Sequence, residues 1–385
     1  MASELRNDIL GHLGYQESDL STLPLVFRSF VSFLESNAGV GTFFKTLSIL
    51  GAGSNNRSHV EVTQLERMLA TLPNLEYLGL EAVLFKGHRL TQEPKFALDK
   101  LLFYDCSWLD GATGFLRVLS MFSELDVLRV EKPSFAALGL GSGRQERRLK
   151  KSTPAGEELP PPVLHIRDLQ IFGNASPPVL LLDTFRSMFE SNLKLTNIFT
   201  CPHNLAVECR DLESISALGR LIKVCGPQLE TVYLRITRAI ESYYQEIEAK
   251  HAWRELNLVQ CTRLKLLLIN YRPSLKNQPT EPSESARAMW NTALGILPNA
   301  PAHLERVTLM FELKKPMDVS FVERRMDWFR LQTLLSSIVH LKVVSLMFCE
   351  VNKETDSYES LELEAYSLLR RHLPLFHKDG RLRFI

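Results

Sequence analysis

One spacing recurs along this chain and constrains its fold more than any other feature: apolar, two residues, apolar, one residue, apolar. It occurs as Leu75/Leu78/Leu80, Leu98/Leu101/Phe103, Leu125/Leu128/Val130 and Ile166/Leu169/Ile171. It continues as Leu229/Val232/Leu234, Leu264/Leu267/Ile269, Leu304/Val307/Leu309 and Leu341/Val344/Leu346, with weaker copies at Phe44/Leu47/Ile49 and Leu195/Ile198. The last two apolar positions are separated by one residue, which points both side chains to one face of a strand. Ahead of four of these strands lies an i, i+3, i+4, i+7 apolar stripe that predicts an amphipathic helix. The stripes are Leu65/Met68/Leu69/Leu72, Phe115/Val118/Leu119/Phe122, Leu218/Leu221/Ile222/Cys225 and Leu331/Leu334/Leu335/Ile338. Each helix–strand unit is too small to bury its own apolar face, so the units must stack, and the expectation is an α/β solenoid.

Composition narrows the function classes. The chain has 385 residues with 45 Lys+Arg against 44 Asp+Glu, a net charge of +1. That balance argues against a nucleic-acid or membrane-surface binder, either of which needs a basic excess. Hydrophobic residues make up 45% and charged residues 23%, a mix that buries a core. No apolar run approaches the ~18 residues of a membrane span. The opening Met1-Ala2-Ser3-Glu4 is too polar for a secretory signal. The six scattered cysteines fit a reducing compartment. The expectation is an intracellular protein, cytoplasmic or nuclear, with reduced thiols.

The repeat resembles that of leucine-rich-repeat proteins, whose unit continues past the strand to an asparagine or cysteine. Leu98, Leu101, Phe103, Cys106 and Leu109 match the cysteine form, as do Leu341, Val344, Leu346 and Cys349, while Ile166, Leu169, Ile171 and Asn174 match the asparagine form. A small polar residue there can satisfy backbone groups where the chain leaves the strand. Val83, Pro133, Arg272 and Glu312 fill the slot in other units, so the repeats are degenerate. The resemblance covers residues 41–385 and implies parallel strands on a concave face with helices on the convex face.

Residues 1–40 lack the repeat. Leu5/Ile9/Leu13 and Leu20/Leu23/Phe27/Phe30 form two helical faces around the break Gly14-Tyr15-Gln16-Glu17-Ser18. The order of residues resembles the F-box: Glu4, Leu5, Ile9, Leu10, Leu13 and the run Pro24-Leu25-Val26-Phe27-Arg28-Ser29-Phe30 occupy matching places. Met1-Ala2 stands where that motif has Leu-Pro, Phe27 where cysteine is common and Phe30 where tryptophan is common. The resemblance implies a segment that docks on a Skp-type adaptor and, through it, a cullin scaffold. Leu5, Ile9, Leu10, Leu13, Leu23, Val26 and Phe27 are then the adaptor contacts, some of them instead packing the helices together. The plainer reading is a helical cap on the first repeat.

Catalytic motifs are missing from the sequence. The glycine clusters at Gly39, Gly51 and Gly139 lack phosphate-loop spacing. Cys201, His203 and Cys209 are three thiol or imidazole groups without the fourth ligand that structural zinc takes. Arg144 to Lys151 is a basic cluster inside a Gly/Ser/Pro-rich stretch, and residues 136–162 are expected to be a disordered insertion. No cofactor is expected. The two resemblances together imply a non-catalytic receptor subunit of a cullin-based ubiquitin ligase, the F-box-like segment docking on the adaptor and the repeats holding a target protein. The alternative is a repeat scaffold with no ligase role.

If the repeat leucines point inward, the residues between them form the opposite face. That face carries Tyr77, Tyr104, Arg129, Gln170, Phe172, Phe199, Tyr233, Arg235, Leu268, Asn270, Met310 and Met347. Aromatic, Arg and Met residues are the types enriched at interfaces. Arg129, Phe172, Tyr233 and Arg235 are the expected centre, suited to an acidic or phosphorylated segment. The alternative cover for this face is the chain's own stretch Leu373 to Ile385.

Overall fold

The computed structural model describes residues 23–51, 58–87, 93–135, 163–173, 179–196, 200–237, 247, 251–272, 292–313, 322–324, 326–350 and 358–384. The expected insertion at 136–162, the basic cluster within it, and Leu5, Ile9, Leu10, Leu13, Asn174 and Phe199 fall outside these residues. The chain is an α/β protein, and among the described residues eleven parallel strands alternate with helices. The chain divides into two compact units. The first takes in residues 1–166 with 173–176, and the second residues 167–172 with 177–385.

In the first unit, helix α1 (Leu23–Ser36) is followed by β1 (Thr46–Leu50), β2 (Ser58–Glu61) and α2 (Val62–Ala70). Next come β3 (Tyr77–Glu81), β4 (Val83–Lys86), β5 (Phe96–Tyr104), β6 (Ser107–Trp108), α3 (Gly111–Leu119) and β7 (Phe122–Glu131). The larger strands lie in the order β1-β3-β5-β7, and their register keeps Leu47, Leu78, Leu101 and Leu128 level. The repeat's middle position is therefore a structural level and not only a spacing. Four residues beyond it the backbone turns a corner in the left-handed region, at Ala82, Asp105 and Lys132, with φ of 53°, 51° and 52°. The corners are tied in series: Ala82 N–H donates to Tyr104 O and Asp105 N–H to Glu131 O, both at 2.9 Å. Beyond the corner the chain enters a smaller parallel sheet of β2, β4 and β6. Trp108 is buried there against Phe85, Phe103 and Phe115.

The residue after one of these corners, Cys106, occupies the repeat's polar slot. Cys106 is buried, and its thiol donates to the carbonyl of Leu80 in the preceding repeat at 3.1 Å.

The second unit begins with Arg167–Phe172 of β8 (His165–Phe172), then α4 (Val179–Thr196), β9 (Asn204–Cys209), α5 (Leu212–Cys225) and β10 (Thr231–Thr237). It goes on through β11 (Leu266–Arg272), β12 (Arg306–Leu313), α6 (Trp328–Ser337), β13 (Val343–Glu350), α7 (Tyr358–His372), α8 (Pro374–Lys378) and β14 (Leu382–Phe384). Leu169, Leu205, Val232, Leu267, Val307, Val344 and Leu382 share one level across its strands. From β9 to β13 the strands do not turn at the fourth residue past that level. Ile236, Tyr271 and Phe311 continue in extended backbone and are buried, and the Tyr271 and Phe311 rings stack at 5.1 Å.

Three sequence expectations are corrected. At the copy Leu195/Ile198, Leu195 lies in α4, which runs to Thr196, Ile198 falls outside the described residues, and the strand found is β9, whose middle position is Leu205, seven residues further on. Pro202 occupies the first apolar position of that unit, which hid the pattern. Phe122, placed at the end of a helix by its stripe, is the first residue of β7. The C-terminal stretch adds β14 beside β13 and so extends the sheet in its own plane. Among the described residues no helix is long and apolar enough to cross a membrane.

Candidate protein-interaction face

Alternation along each strand sets which side chains leave the core. In β10, Val232, Leu234 and Ile236 are buried, while Thr231, Tyr233, Arg235 and Thr237 are half-buried on the other face. Register then decides who meets whom. Tyr233 lies opposite Ala206 on one side and Leu268 on the other, and Arg235 opposite Glu208 and Asn270.

Three residues singled out from the sequence come together in the second unit. Phe172 and Tyr233 make an edge-to-face pair with ring centres 6.0 Å apart, and the guanidinium carbon of Arg235 lies 5.6 Å from the Phe172 ring centre. Ala206, between β8 and β10 at the Tyr233 level, is small enough for the tyrosine ring to lean across it. Asn270, itself buried, donates its side-chain amide to the Tyr233 hydroxyl. Glu208 is 4% exposed, accepts from Arg210 Nε at 2.6 Å and stands 3.9 Å from Arg235. A carboxylate this buried needs such cations beside it. Leu268 and Met310 are half-buried on the same face, and Met310 lies opposite Met347.

Glu208 and Arg210 escaped the sequence reading because β9 was placed at the wrong residues. The signal was present: Leu205, Val207 and Cys209 alternate, and Asp211 follows as a helix cap. Its carboxylate accepts from Ser214 N–H at 2.7 Å, while the Ser214 hydroxyl accepts from Asp211 N–H at 3.1 Å, a capping box.

Arg129, expected beside these residues, belongs to the first unit, where it makes a two-nitrogen contact with Glu131 at 2.7 and 3.2 Å. Tyr104 accepts a hydrogen bond from Lys132, whose ammonium also lies 4.5 Å from the Tyr104 ring centre. That hydrogen bond raises the Lys132 pKa. Tyr77 has Lys100 over its ring at 5.7 Å. The exposed polar face of the first unit is thus organised as aromatic–cation and ion-pair couples within single or adjacent strands.

The adaptor-contact residues divide differently. Leu23 and Val26 lie in α1, and Phe27 is 5% exposed. Phe27, Val31 and Leu34, spaced by four and three, form the buried stripe with which α1 packs on α2 and β2. Phe27 therefore belongs to the protein's own core. Arg67 of α2 grips Glu35 of α1 through both nitrogens, at 2.8 and 2.6 Å.

Cys201, His203 and Cys209 do not converge. The Cys201 thiol hydrogen-bonds with Cys225, which lowers its pKa, and His203 Nδ1 is 3.6 Å from Glu230. Cys209 is fully buried, and desolvation pushes its thiol up to about 12. Cys261 is likewise raised to about 12 by burial, so both thiols stay protonated at neutral pH. Among the described residues no three His, Cys, Asp or Glu side chains are gathered to hold a metal. No protein-family model matches the sequence, and neither does any curated protein.

Proposed function

We propose that this chain is the substrate-recognition subunit of an SCF-type cullin–RING ubiquitin ligase. Residues 1–40 would dock a Skp-type adaptor, and the outward sheet face of the second unit would hold a target protein. The chain would do no bond-making. It would raise the effective concentration of target lysines near a charged conjugating enzyme, inside the cell, in cytoplasm or nucleus.

The observation that carries the target-binding half is the cluster of Phe172, Tyr233 and Arg235. Two rings and a guanidinium are fixed on strands before any partner arrives, so little side-chain entropy is left to lose on binding. A purely solvated face has no need of aromatic residues there. The adaptor half rests on the F-box resemblance alone. The test is affinity capture of the full chain from cells, comparing the parent with Tyr233→Ala/Arg235→Glu. The expected result is Skp and cullin in both captures and a set of co-captured proteins lost only in the variant.

One observation favours the second reading, a repeat scaffold with a helical cap. Phe27, a core position of the F-box-like pattern, is buried against the first repeat through α1. A scaffold would give capture without Skp or cullin, with the same loss on substitution of Tyr233 and Arg235.

A further inference from the structure

Among the described residues β1 is the last strand of its sheet, and its apolar layer is not closed. Phe44, Leu47 and Ile49 occupy core positions of the repeat, yet they are only half-buried. The same positions one strand further in, Leu75, Leu78 and Leu80, are 5%, 0% and 0% exposed. Nearby Phe43 is 85% exposed and Leu50 60%. Among the described residues no strand pairs with the far side of the β1 backbone. Tyr77 N–H donates to Lys45 O and Gly51 N–H to Glu81 O, so the odd-numbered residues of this stretch face β3. Thr46, Ser48 and Leu50 therefore direct their N–H and C=O groups to the other side, where β1 is the outermost strand of its sheet among the described residues. Strand edges that stay in water are kept very short, are covered by a loop or helix, or carry charges, proline or a bulge. Thr46-Leu47-Ser48-Ile49-Leu50 has no charge, proline or bulge, and the neighbouring Lys45 is paired with Glu76 at 2.7 Å.

We propose that β1 is a homodimer interface, in which β1 of a second copy pairs with it antiparallel about a two-fold axis at Ser48. The sequence of the strand is self-complementary in that arrangement. Leu47 falls opposite Ile49 of the partner subunit, so the apolar layer continues through the axis and the half-buried core positions close. Thr46 falls opposite Leu50 of the partner subunit, and Ser48 opposite its own copy. The outward backbone groups of Thr46, Ser48 and Leu50 then all find partners, six hydrogen bonds in the symmetric pair. No charge faces its own copy across the axis, which is the usual penalty on two-fold pairing of strands. The interface is independent of the outward face of the second unit and of the proposed ligase role.

The experiment uses the full chain. Residues directly opposite in a hydrogen-bonded antiparallel pair have Cα atoms about 5.5 Å apart, within the span of a disulfide. Ser48→Cys should form a covalent dimer under mild oxidation, as should the double variant Thr46→Cys/Leu50→Cys. Thr46→Cys alone should not. Light scattering should give twice the chain mass for the parent. Ser48→Lys, at an exposed position, should weaken that dimer by about tenfold or more through facing like charges, with an unchanged circular dichroism spectrum. A single-chain mass at every concentration, with no Ser48→Cys cross-link, overturns the proposal. So does a dimer that forms only after residues 1–22 are deleted, because the edge would then belong to the chain's own N-terminus. A dimer insensitive to Ser48→Lys would place the interface elsewhere and overturn it too.

Discussion

Arg235 and Phe172 are carried by β10 and β8, strands that are not neighbours, yet the guanidinium carbon lies 5.6 Å from the ring centre. The strand between them supplies the reason. Glu208 of β9 sits opposite Arg235 and anchors the charge within 3.9 Å. The arginine is held flat over the sheet, where a solvated side chain would stand away from it.

This contact should be measurable without knowing any partner. In a double-mutant cycle of Phe172→Leu and Arg235→Gln, read by urea unfolding, the two changes should be coupled by about 1–2 kcal/mol, between an exposed and a desolvated cation–π contact. Additive effects would mean that ring and guanidinium do not interact.

Gly219 offers a test of the packing behind that face. It lies inside α5, where alanine is better than glycine by about 1 kcal/mol of helix propensity. A Cβ there would stand 1.8 Å from the carbonyl oxygen of Glu255. Overpacking costs about 1–3 kcal/mol, and contact with backbone belongs at the upper end. Gly219→Ala should therefore destabilise the protein by about 2 kcal/mol net of the propensity gain. A stabilised variant would show that α5 does not approach the Ala252–Leu256 turn so closely. Gly380→Ala is the control. Its φ is +67° with nothing within 4 Å, so it should cost only about 1 kcal/mol of left-handed strain.

Near the C-terminus, Glu323 should make stability depend on acid. Its Oε1 lies 2.9 Å from His372 Nε2 and 2.6 Å from Arg371, and the His372 ring stacks on Trp328 at 5.2 Å. The hydrogen bond with His372, with the Arg371 charge behind it, holds the Glu323 carboxyl below the ordinary carboxylate value. A depressed folded-state pKa means that the unfolded chain takes up its proton first as pH falls. The stabilisation is then complete above the ordinary carboxylate range and disappears as pH drops through the folded-state value. Unfolding of the parent and Glu323→Gln should differ at pH 7 and converge in acid. A gap that persists at low pH would contradict this origin.

Much of this architecture was legible in the spacing of leucines, because the pattern encodes a backbone level that every strand must share. The levels at Leu78, Leu101 and Leu128 are in register within the first unit, and those at Leu169, Val232, Leu267, Val307 and Val344 within the second. The Cys106 hydrogen bond was legible too, from the residue type the repeat asks for at that slot. What failed had local causes. Pro202 broke the pattern at β9, so Glu208 and Arg210 were missed. β14 has three residues, too few to display a period. The left-handed corners at Ala82, Asp105 and Lys132 share no residue type, so their conformation comes from the stacking of one repeat on the next. Phe172, Tyr233 and Arg235 could be assigned a face from alternation. Their mutual contacts could not, because these depend on the small Ala206 in a strand the pattern had mislaid.

The central claim, that this chain couples a target-binding face to a ubiquitin ligase, is tested most directly by the affinity of the purified full chain for a Skp-type adaptor bound to its cullin. The account predicts saturable one-to-one binding that is abolished by Leu5→Asp/Ile9→Asp, with the unfolding midpoint of the repeats unchanged. Absence of binding by the parent, or undiminished binding by a folded double variant, would contradict it.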